Sequence, residues 1–211
     1  TIAELTASLR GLLGNEKWSW YVSEKGKKKL GYEQAVVYDR VLRFEERDKL
    51  MKILYYVYLL DVYMAVANVA KERGFVFAKA HPNDKNTLVM KGVFHPFLTN
   101  PVGNTITVDE NSNVIFLTGA NMAGKSTFMK SFGITVFLAH VGFPVPAKEM
   151  EFSVQNGMFT TINLPDNLSM GYSHFYAEVL RVKKVAQQVR QTQHLIVVFD
   201  ELFRGTNVKD A

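Results

Sequence analysis

The sequence predicts an α/β domain that is preceded by a helical segment. Up to about residue 73, apolar residues recur at spacings of three and four, which is the periodicity of α-helices. From about Phe75 the pattern changes to short β-rich runs that are separated by turn residues. We therefore predict a helical segment over residues 1–74 and a sheet-containing domain over residues 75–211.

The length and composition are those of a globular protein with one main domain. A chain of 211 residues can bury a substantial core, and its hydrophobic fraction of 47% and charged fraction of 21% are ordinary. The sequence has no cysteine, which excludes disulfides and thiolate metal sites and agrees with a cytoplasmic protein. The net charge of +5 suits an anionic partner without choosing among nucleic acid, lipid and nucleotide phosphate. The densest basic run, Lys25 with Lys27 to Lys29, fits either a solvated loop or a DNA-backbone contact.

One stretch of the helical segment is almost long enough to span a membrane. Ile53 to Ala70 is nearly all apolar. However, Asp61, Asn68 and Glu72 share one narrow helical face, and an unpaired Asp in mid-bilayer would be costly. We therefore expect a helix buried in protein with one wet edge, not a membrane span, and we expect it to end at Gly74.

Four apolar runs predict strands in the second domain. FVFAKA (75–80) and TLVMKGVF (87–94) are β-rich and are separated by turn residues. VIFLTG (114–119) ends in glycine and a helical pattern starts near Lys125, so the predicted order is strand, loop and helix. LIVVFDE (195–201) is apolar up to its acidic end, as expected of a parallel strand covered on both faces.

The loop before Lys125 carries a phosphate-binding motif. Residues 119–126 read GANMAGKS and match the pattern G-x-x-x-x-G-K-[ST] in full. Its glycines allow a tight turn whose N–H groups face the phosphates, Lys125 would reach the β- and γ-phosphates, and Ser126 would bind magnesium. We therefore expect an ATP or ADP site with Mg²⁺. The predicted nucleotide-binding residues in the loop are Gly119, Ala120, Asn121, Met122, Ala123, Gly124, Lys125, Ser126 and Thr127.

Two carboxylates follow the last predicted strand. Asp200 and Glu201 lie at its carboxyl end, where open α/β sheets bind their ligands. We expect Asp200 to hold magnesium, directly or through water, and Glu201 to act as the general base that polarises the attacking water. An acidic pair on a solvated loop is the alternative, and the complete phosphate loop disfavours it.

Several of these motifs together resemble the ATPase domain of the MutS family of DNA mismatch repair proteins. The Asn-Met pair inside the loop and the Ser-Thr-aromatic continuation are unusual among P-loop proteins. The similar segments are His95-Pro96, TGANMAGKSTFMK (118–130), GFPVPA (142–147), the signature-like DNLSMGYSHFYAE (166–178) and DELFRGTN (200–207). The resemblance covers about residues 90–211 well and the helical part only by its general pattern.

The resemblance implies a three-layer, ABC-like P-loop NTPase fold with a mixed sheet, preceded by the end of the family's core and lever region. It implies a magnesium-dependent ATPase that pairs head to tail as a homodimer and couples ATP state to DNA binding. Ser173 would reach the opposing subunit's nucleotide, so it joins Lys125 and Glu201 as an expected catalytic residue, and His95 joins the nucleotide-binding residues. Double-stranded DNA would bind through other domains.

The chain opens with Thr1 and stops at Ala211, so we expect a fragment of a longer protein. The family's histidine-bearing loop would follow Asp210, and we therefore expect the fragment alone to be a weak or inactive ATPase. The family reads mismatches with a Phe-x-Glu motif in an N-terminal domain. Phe44-Glu45-Glu46 fits those letters, but it lies in a predicted helix, and we interpret it as a coincidence.

The sequence also departs from the family pattern. Tyr172 and His174 replace the Arg and Thr usual around the signature serine, and Pro101 stands where an aromatic residue stacks on adenine. Leu202 and Phe203 replace an Ile-Gly pair, which indicates a divergent branch. A non-catalytic, nucleotide-gated interaction module therefore stays as the main alternative. A kinase-type transferase is disfavoured because Glu201 directly follows Asp200.

Overall fold

A computed structural model describes residues 2–14, 31–120, 122–162 and 174–202, with the side chains of 174 and 175 excepted. This part of the chain is mixed α/β, and the chain divides into two units, Thr1–Asn68 and Val69–Ala211. The helices are α1 (Ile2–Leu13), α2 (Tyr32–Arg40), α3 (Arg47–Arg73), α4 (Lys125–His140) and α5 (His174–Gln191). The strands are β1 (Lys79–His81), β2 (Leu88–Val93), β3 (Asn104–Val108), β4 (Glu149–Ser153), β5 (Gly157–Thr161) and β6 (Leu195–Phe199).

Nearly all described residues of the first unit lie in helices, as predicted. A π-helical turn, Val41–Glu45, joins α2 to α3. The Glu46 N–H donates to the Val41 carbonyl at 2.8 Å, which is the wider i to i−5 spacing of such a turn. Phe44 lies within this helical turn, as predicted, and its side chain is exposed.

Helix α3 ends where the sequence predicts. Arg73 is its last residue, and Gly74 follows with a φ of +68°, a conformation that favours glycine. The Phe75 N–H reaches back to the Ala70 carbonyl at 2.9 Å, which is the bond of a Schellman helix end. The glycine therefore terminates the helix by its backbone geometry.

The predicted burial of α3 is wrong for the described chain. Ile53 is its only buried residue, whereas Tyr55 and Tyr58 are 59% and 65% exposed. The reason is that α1 and α2 bury none of their own residues, so neither supplies a covering surface. Among the described helices, α3 is the one long and apolar enough to cross a membrane by length and composition, a test that core helices of soluble proteins also pass.

Four strands of the second unit form one mixed sheet, and two of them, β3 and β4, were not predicted. The order is β1-β4-β2-β3, with β1 parallel to β4 and with β2 antiparallel to both β4 and β3. The run 87–94 supplies β2 as expected. The run 75–80 is shorter as a strand than predicted, since Val76 makes only an isolated bridge to Val145 and β1 begins at Lys79.

Helix α4 packs on this sheet and shares its core. Val136 and Ala139 of α4 join the buried cluster that includes Met90 and Phe152. His140 fixes the end of the helix, because its Nδ1 donates to the Val136 carbonyl at 2.8 Å and its Nε2 accepts the Gln155 N–H at 2.9 Å. Helix α4, which begins at the predicted phosphate loop, is therefore anchored to the sheet through its second half.

Ion pairs join the outer side of β4 to its neighbours. Glu151 accepts a 2.8 Å hydrogen bond from His81 Nε2 and lies 3.4 Å from Lys79 Nζ. The hydrogen bond from His81 is the main cause that lowers the pKa of Glu151, and the Lys79 charge adds to it. Glu149 pairs with Lys91 at 2.7 Å. The two lysine pairs are exposed and therefore add little stability.

Strands β5 and β6 form a second, parallel pair. Their register runs from Gly157 opposite Leu195 to Thr161 opposite Phe199. The prediction of a parallel strand at LIVVF is therefore confirmed. Its expected cover on both faces is only partial, because all five residues of β6 are half-buried.

The prediction of a strand at VIFLTG (114–119) is wrong, and it is the main prediction for the second unit that the structure corrects. Residues 113–120 have no regular secondary structure, and Val114 and Phe116 are 70% and 88% exposed. A strand exists only through backbone hydrogen bonds to a neighbour, and neither described sheet contains this run. The apolar character of the run therefore could not show whether such a neighbouring strand is present.

Candidate functional site

The glycine-rich loop turns directly into α4. Gly124 has a φ of +90° and Met122 a φ of +63°, so two loop residues adopt the left-handed region. The Ala123 N–H donates to the Ala120 carbonyl at 3.2 Å, and the Phe128 N–H donates to the Gly124 carbonyl at 2.8 Å. The loop is therefore a tight turn whose last glycine starts the helix.

Lys125 closes the loop on itself. Its Nζ donates to the carbonyl of Gly119 at 2.7 Å and to the carbonyl of Ala120 at 2.9 Å. Both carbonyls belong to the first residues of the motif, whereas Lys125 is the first residue of α4. This arrangement places a positive charge at the mouth of a turn that is also the amino end of a helix, where backbone N–H groups lack helical partners.

The residues that follow Lys125 lie in the same helical turn. Ser126 is half-buried and Thr127 is exposed in the first turn of α4. Met122 is fully exposed at its positive φ. A non-glycine residue in this conformation is uncommon and costs roughly 1–3 kcal/mol, and such residues concentrate at functional sites. The motif letters do not reveal that strain, because Met122 occupies a variable position of the pattern.

Asp200 and Glu201 follow β6 at the carboxyl end of the parallel pair. The Asp200 N–H donates to the Thr161 carbonyl at 3.2 Å, which extends the pairing of β5 with β6 by one residue. Glu201 has a φ of +45° and is exposed. The structure thus holds the Asp200 backbone firmly and turns the chain sharply at Glu201.

His95 lies in a turn after β2 and is half-buried. Its Nδ1 accepts a hydrogen bond from the Phe97 N–H at 3.3 Å, and its ring lies 6.0 Å from the Phe97 ring. The adjoining Pro96 carbonyl accepts a hydrogen bond from Arg73. These contacts fix a turn, and the role of His95 toward a nucleotide stays a prediction.

Several predicted residues lie outside the described residues. They are Asn121, Ser173 with the rest of 166–173, the basic run at Lys25 to Lys29, and residues 203–211. Within the described ranges no group of three or more His, Asp or Glu side chains could hold a metal ion. The predicted magnesium donors, Ser126 and Asp200, lie at the start of α4 and the end of β6, and their pairing stays a prediction.

The fold and the loop define a mixed α/β protein with a glycine-rich turn at the start of a helix that packs on a sheet. Residues 115–211 match the model of the family described as MutS domain V. The chain is 31% identical over 196 residues to the DNA mismatch repair protein MutS of Clostridioides difficile, covering 89% of this chain and 20% of that protein. The chain belongs to the MutS family, which confirms the resemblance seen in the motifs.

Other MutS proteins show the same extent of similarity. That of Persephonella marina is 31% identical over 186 residues, covering 84% of this chain and 21% of that protein. That of Geobacillus sp. strain WCH70 is 32% identical over 157 residues, covering 72% of this chain and 18% of that protein. The chain thus spans about a fifth of the length of these relatives. The longest alignment exceeds the stretch from 90 to 211, so the similarity reaches into the helical residues.

Proposed function

We propose that this chain is the ATP-binding and ATP-hydrolysing part of a MutS-like DNA mismatch repair protein. The observation that carries the proposal is the contact of Lys125 Nζ with the carbonyls of Gly119 and Ala120 at the start of α4. A phosphate at this position would meet the lysine charge, the loop N–H groups and the positive end of the helix dipole. Met122 and Gly124 keep the loop in the turned conformation that such a contact needs.

The proposal gives ATP or ADP with Mg²⁺ as the ligand. The Ser126 hydroxyl and the Asp200 carboxylate are hard oxygen donors of the kind that magnesium prefers. When bound, the ion would neutralise charge on the phosphate oxygens. Asp200 suits this role because its backbone is anchored to β5 through the Thr161 carbonyl.

A three-layer P-loop NTPase fold is part of this proposal. The exposed run at 114–117 directly precedes the loop, and β6 has a strand neighbour on only one of its two edges among the described residues. We propose that this run forms a further parallel strand of the sheet that contains β6. The pairing would bury its exposed apolar side chains and would bring the loop beside Asp200, at the carboxyl ends of parallel strands.

Glu201 would supply the chemical step. Its carboxylate would accept a proton from the attacking water, which strengthens the water as a nucleophile toward the γ-phosphate. The φ of +45° supports a functional requirement, since glycine would relieve this strain and yet a glutamate occupies the position. The sharp turn at Glu201 would present its side chain beyond the strand end.

The names of the relatives extend the proposal to the whole protein. Those relatives are DNA mismatch repair proteins, so we propose that the longer protein works in the cytoplasm as a homodimer on double-stranded DNA. Two ATPase domains would meet head to tail, and Ser173 of each would close the other's site. His95 would contribute to the nucleotide contact within its own chain.

One specific observation favours a second candidate function. Tyr172 and His174 differ from the residues usual around the family's signature serine. A chain with these changes could bind ATP to control assembly without efficient turnover. Nucleotide binding is common to both candidates, whereas hydrolysis separates them.

Calorimetric titration of the 211-residue chain with ADP tests the proposal. We expect saturable binding at one site in the presence of Mg²⁺ and weaker binding after chelation, because Ser126 and Asp200 would hold the ion and its charge would offset that of the phosphates. The absence of binding at millimolar ADP with Mg²⁺ would refute the assignment of the loop.

A further inference from the structure

Met122 is the most exposed methionine among the described residues. Its side chain is fully exposed, whereas Met64 and Met51 on α3 are 65% and 55% exposed. Met90 and Met150 are buried in the core of the second unit, and the other described methionines are half-buried. A small oxidant in solution therefore reaches the Met122 side chain most easily.

The folded loop keeps the Met122 side chain in water. Its φ of +63° is uncommon for a residue that carries a side chain. The turn around it is closed by the hydrogen bond from the Ala123 N–H to the Ala120 carbonyl at 3.2 Å. Lys125 Nζ adds its contacts to the carbonyls of Gly119 and Ala120. The exposure of Met122 is thus a property of the loop that we assign to the nucleotide.

Methionine supplies all the sulfur atoms of this chain, because the sequence has no cysteine. A thioether sulfur attacks one oxygen of hydrogen peroxide, so that an S–O bond forms while the O–O bond breaks. The proton of the transferred oxygen moves to the departing hydroxide and gives water. The sulfur is oxidised by two electrons, and the peroxide is reduced. The product, methionine sulfoxide, is polar, and methionine sulfoxide reductases convert it back.

We propose that Met122 is a site of reversible oxidation by peroxide and that its sulfoxide weakens nucleotide binding at the loop. The effect on the nucleotide rests on the proposed function, which places the phosphates at this loop. The modification itself depends only on the exposure of Met122. The loop would thus couple nucleotide affinity to the oxidant level around the protein.

The weaker binding follows from the chemistry of the sulfoxide oxygen. A thioether sulfur is a weak hydrogen-bond acceptor, whereas the sulfoxide oxygen carries partial negative charge and accepts strongly. The groups that would bind phosphate are all donors, namely the Lys125 amine and the N–H groups of the loop. Met122 lies three residues before Lys125. Its sulfoxide oxygen would compete with the phosphates for these donors and would repel the phosphate oxygens.

Peptide mapping after peroxide treatment tests the modification. The 211-residue chain is treated with hydrogen peroxide, and the sulfoxide content of each methionine peptide is followed by mass spectrometry. We expect Met122 to be oxidised at least about tenfold faster than Met90 and Met150, because a buried sulfur reacts only when the structure opens. Equal rates at Met122 and Met90 would overturn the proposal.

Calorimetric titration with Mg-ADP tests the consequence, with the affinity of each protein compared before and after peroxide treatment. We expect wild type to lose at least about threefold in affinity, the order of effect of one hydrogen bond, and to regain it after treatment with methionine sulfoxide reductases. Met122→Leu has an apolar side chain of similar size without sulfur, so its two affinities should be equal. Met64→Leu is the matched control, since it removes an exposed methionine on α3 and should lose affinity as wild type does.

The outcomes separate this proposal from the proposed function. A loss of affinity in Met122→Leu as large as that in wild type would assign the effect to another residue and overturn the proposal. Unchanged affinity of oxidised wild type would overturn it as well. If the untreated chain bound no Mg-ADP, the proposed function would fail and the effect on the nucleotide with it. The mapping would still show which methionine is oxidised first.

Discussion

Replacing Glu201 with Gln is expected to slow ATP hydrolysis by roughly 100-fold or more while ATP binding is kept. The amide has nearly the same shape as the carboxylate but cannot take a proton from the attacking water. The sharp turn of the backbone, with a φ of +45°, should persist because the side-chain size is unchanged. Hydrolysis is measured as steady-state phosphate release by the full-length protein, with and without DNA.

The matched control for this variant is Glu149→Gln. Glu149 is an exposed carboxylate on β4 that pairs with Lys91, and its replacement changes the net charge by the same amount. We expect it to leave turnover within about twofold of wild type, since surface pairs contribute little. Unchanged turnover of Glu201→Gln would place the general base elsewhere. Slow turnover in the wild type itself would favour the nucleotide-gated module.

Replacing Lys125 with Ala is expected to weaken Mg-ATP binding by at least about tenfold. The substitution removes a charge-assisted phosphate contact worth on the order of 1.5–3 kcal/mol. It also removes the hydrogen bonds from Nζ to the carbonyls of Gly119 and Ala120, which stabilise the conformation of the loop. Calorimetry on the 211-residue chain measures the affinity, and circular dichroism checks that the fold is retained.

Two further variants separate charge from packing. Lys125→Met keeps most of the aliphatic stem but removes the charge, so it should bind nucleotide as weakly as Lys125→Ala. Lys130→Ala removes a lysine further along the same helix and should leave the affinity nearly unchanged. If Lys125→Met bound like wild type, the loss in Lys125→Ala would come from packing, and the phosphate role of Lys125 would be wrong.

Local signals in the sequence predicted the local features of the structure. Gly74 predicted the end of α3, and the motif predicted that a helix starts at Lys125. The apolar run with an acidic end predicted the parallel strand β6. Each of these signals depends on the backbone preferences of a few neighbouring residues. The residue types alone determine such preferences, so the sequence is enough to predict them.

The predictions that failed concern features that depend on residues far away in the chain. The apolar character of 114–117 indicates a strand, but a strand forms only when another strand lies beside it. The apolar character of α3 indicates burial, but not which element covers it. Tyr58 shows this directly, since its residue type favours a buried environment and it is 65% exposed here.

The residue types of the candidate site could be predicted from the sequence, but the strained backbone conformations within it could not. The motif identified Lys125, and the structure adds that its amine contacts Gly119 and Ala120. No pattern indicated that Met122 and Glu201 would both have positive φ. Such conformations are imposed by the surrounding structure against the preference of the residue, so single-residue tendencies cannot reveal them.

The claim that residues 119–127 form the nucleotide site is tested most directly by an NMR titration. The isotopically labelled 211-residue chain is titrated with Mg-ADP, which avoids turnover, and the backbone amide shifts are recorded. We expect the largest saturable shifts at the amides of Gly119 and Ala123 to Lys125, because these N–H groups would surround the phosphates. Saturable shifts confined to other residues, or no shift at millimolar Mg-ADP, would contradict the account.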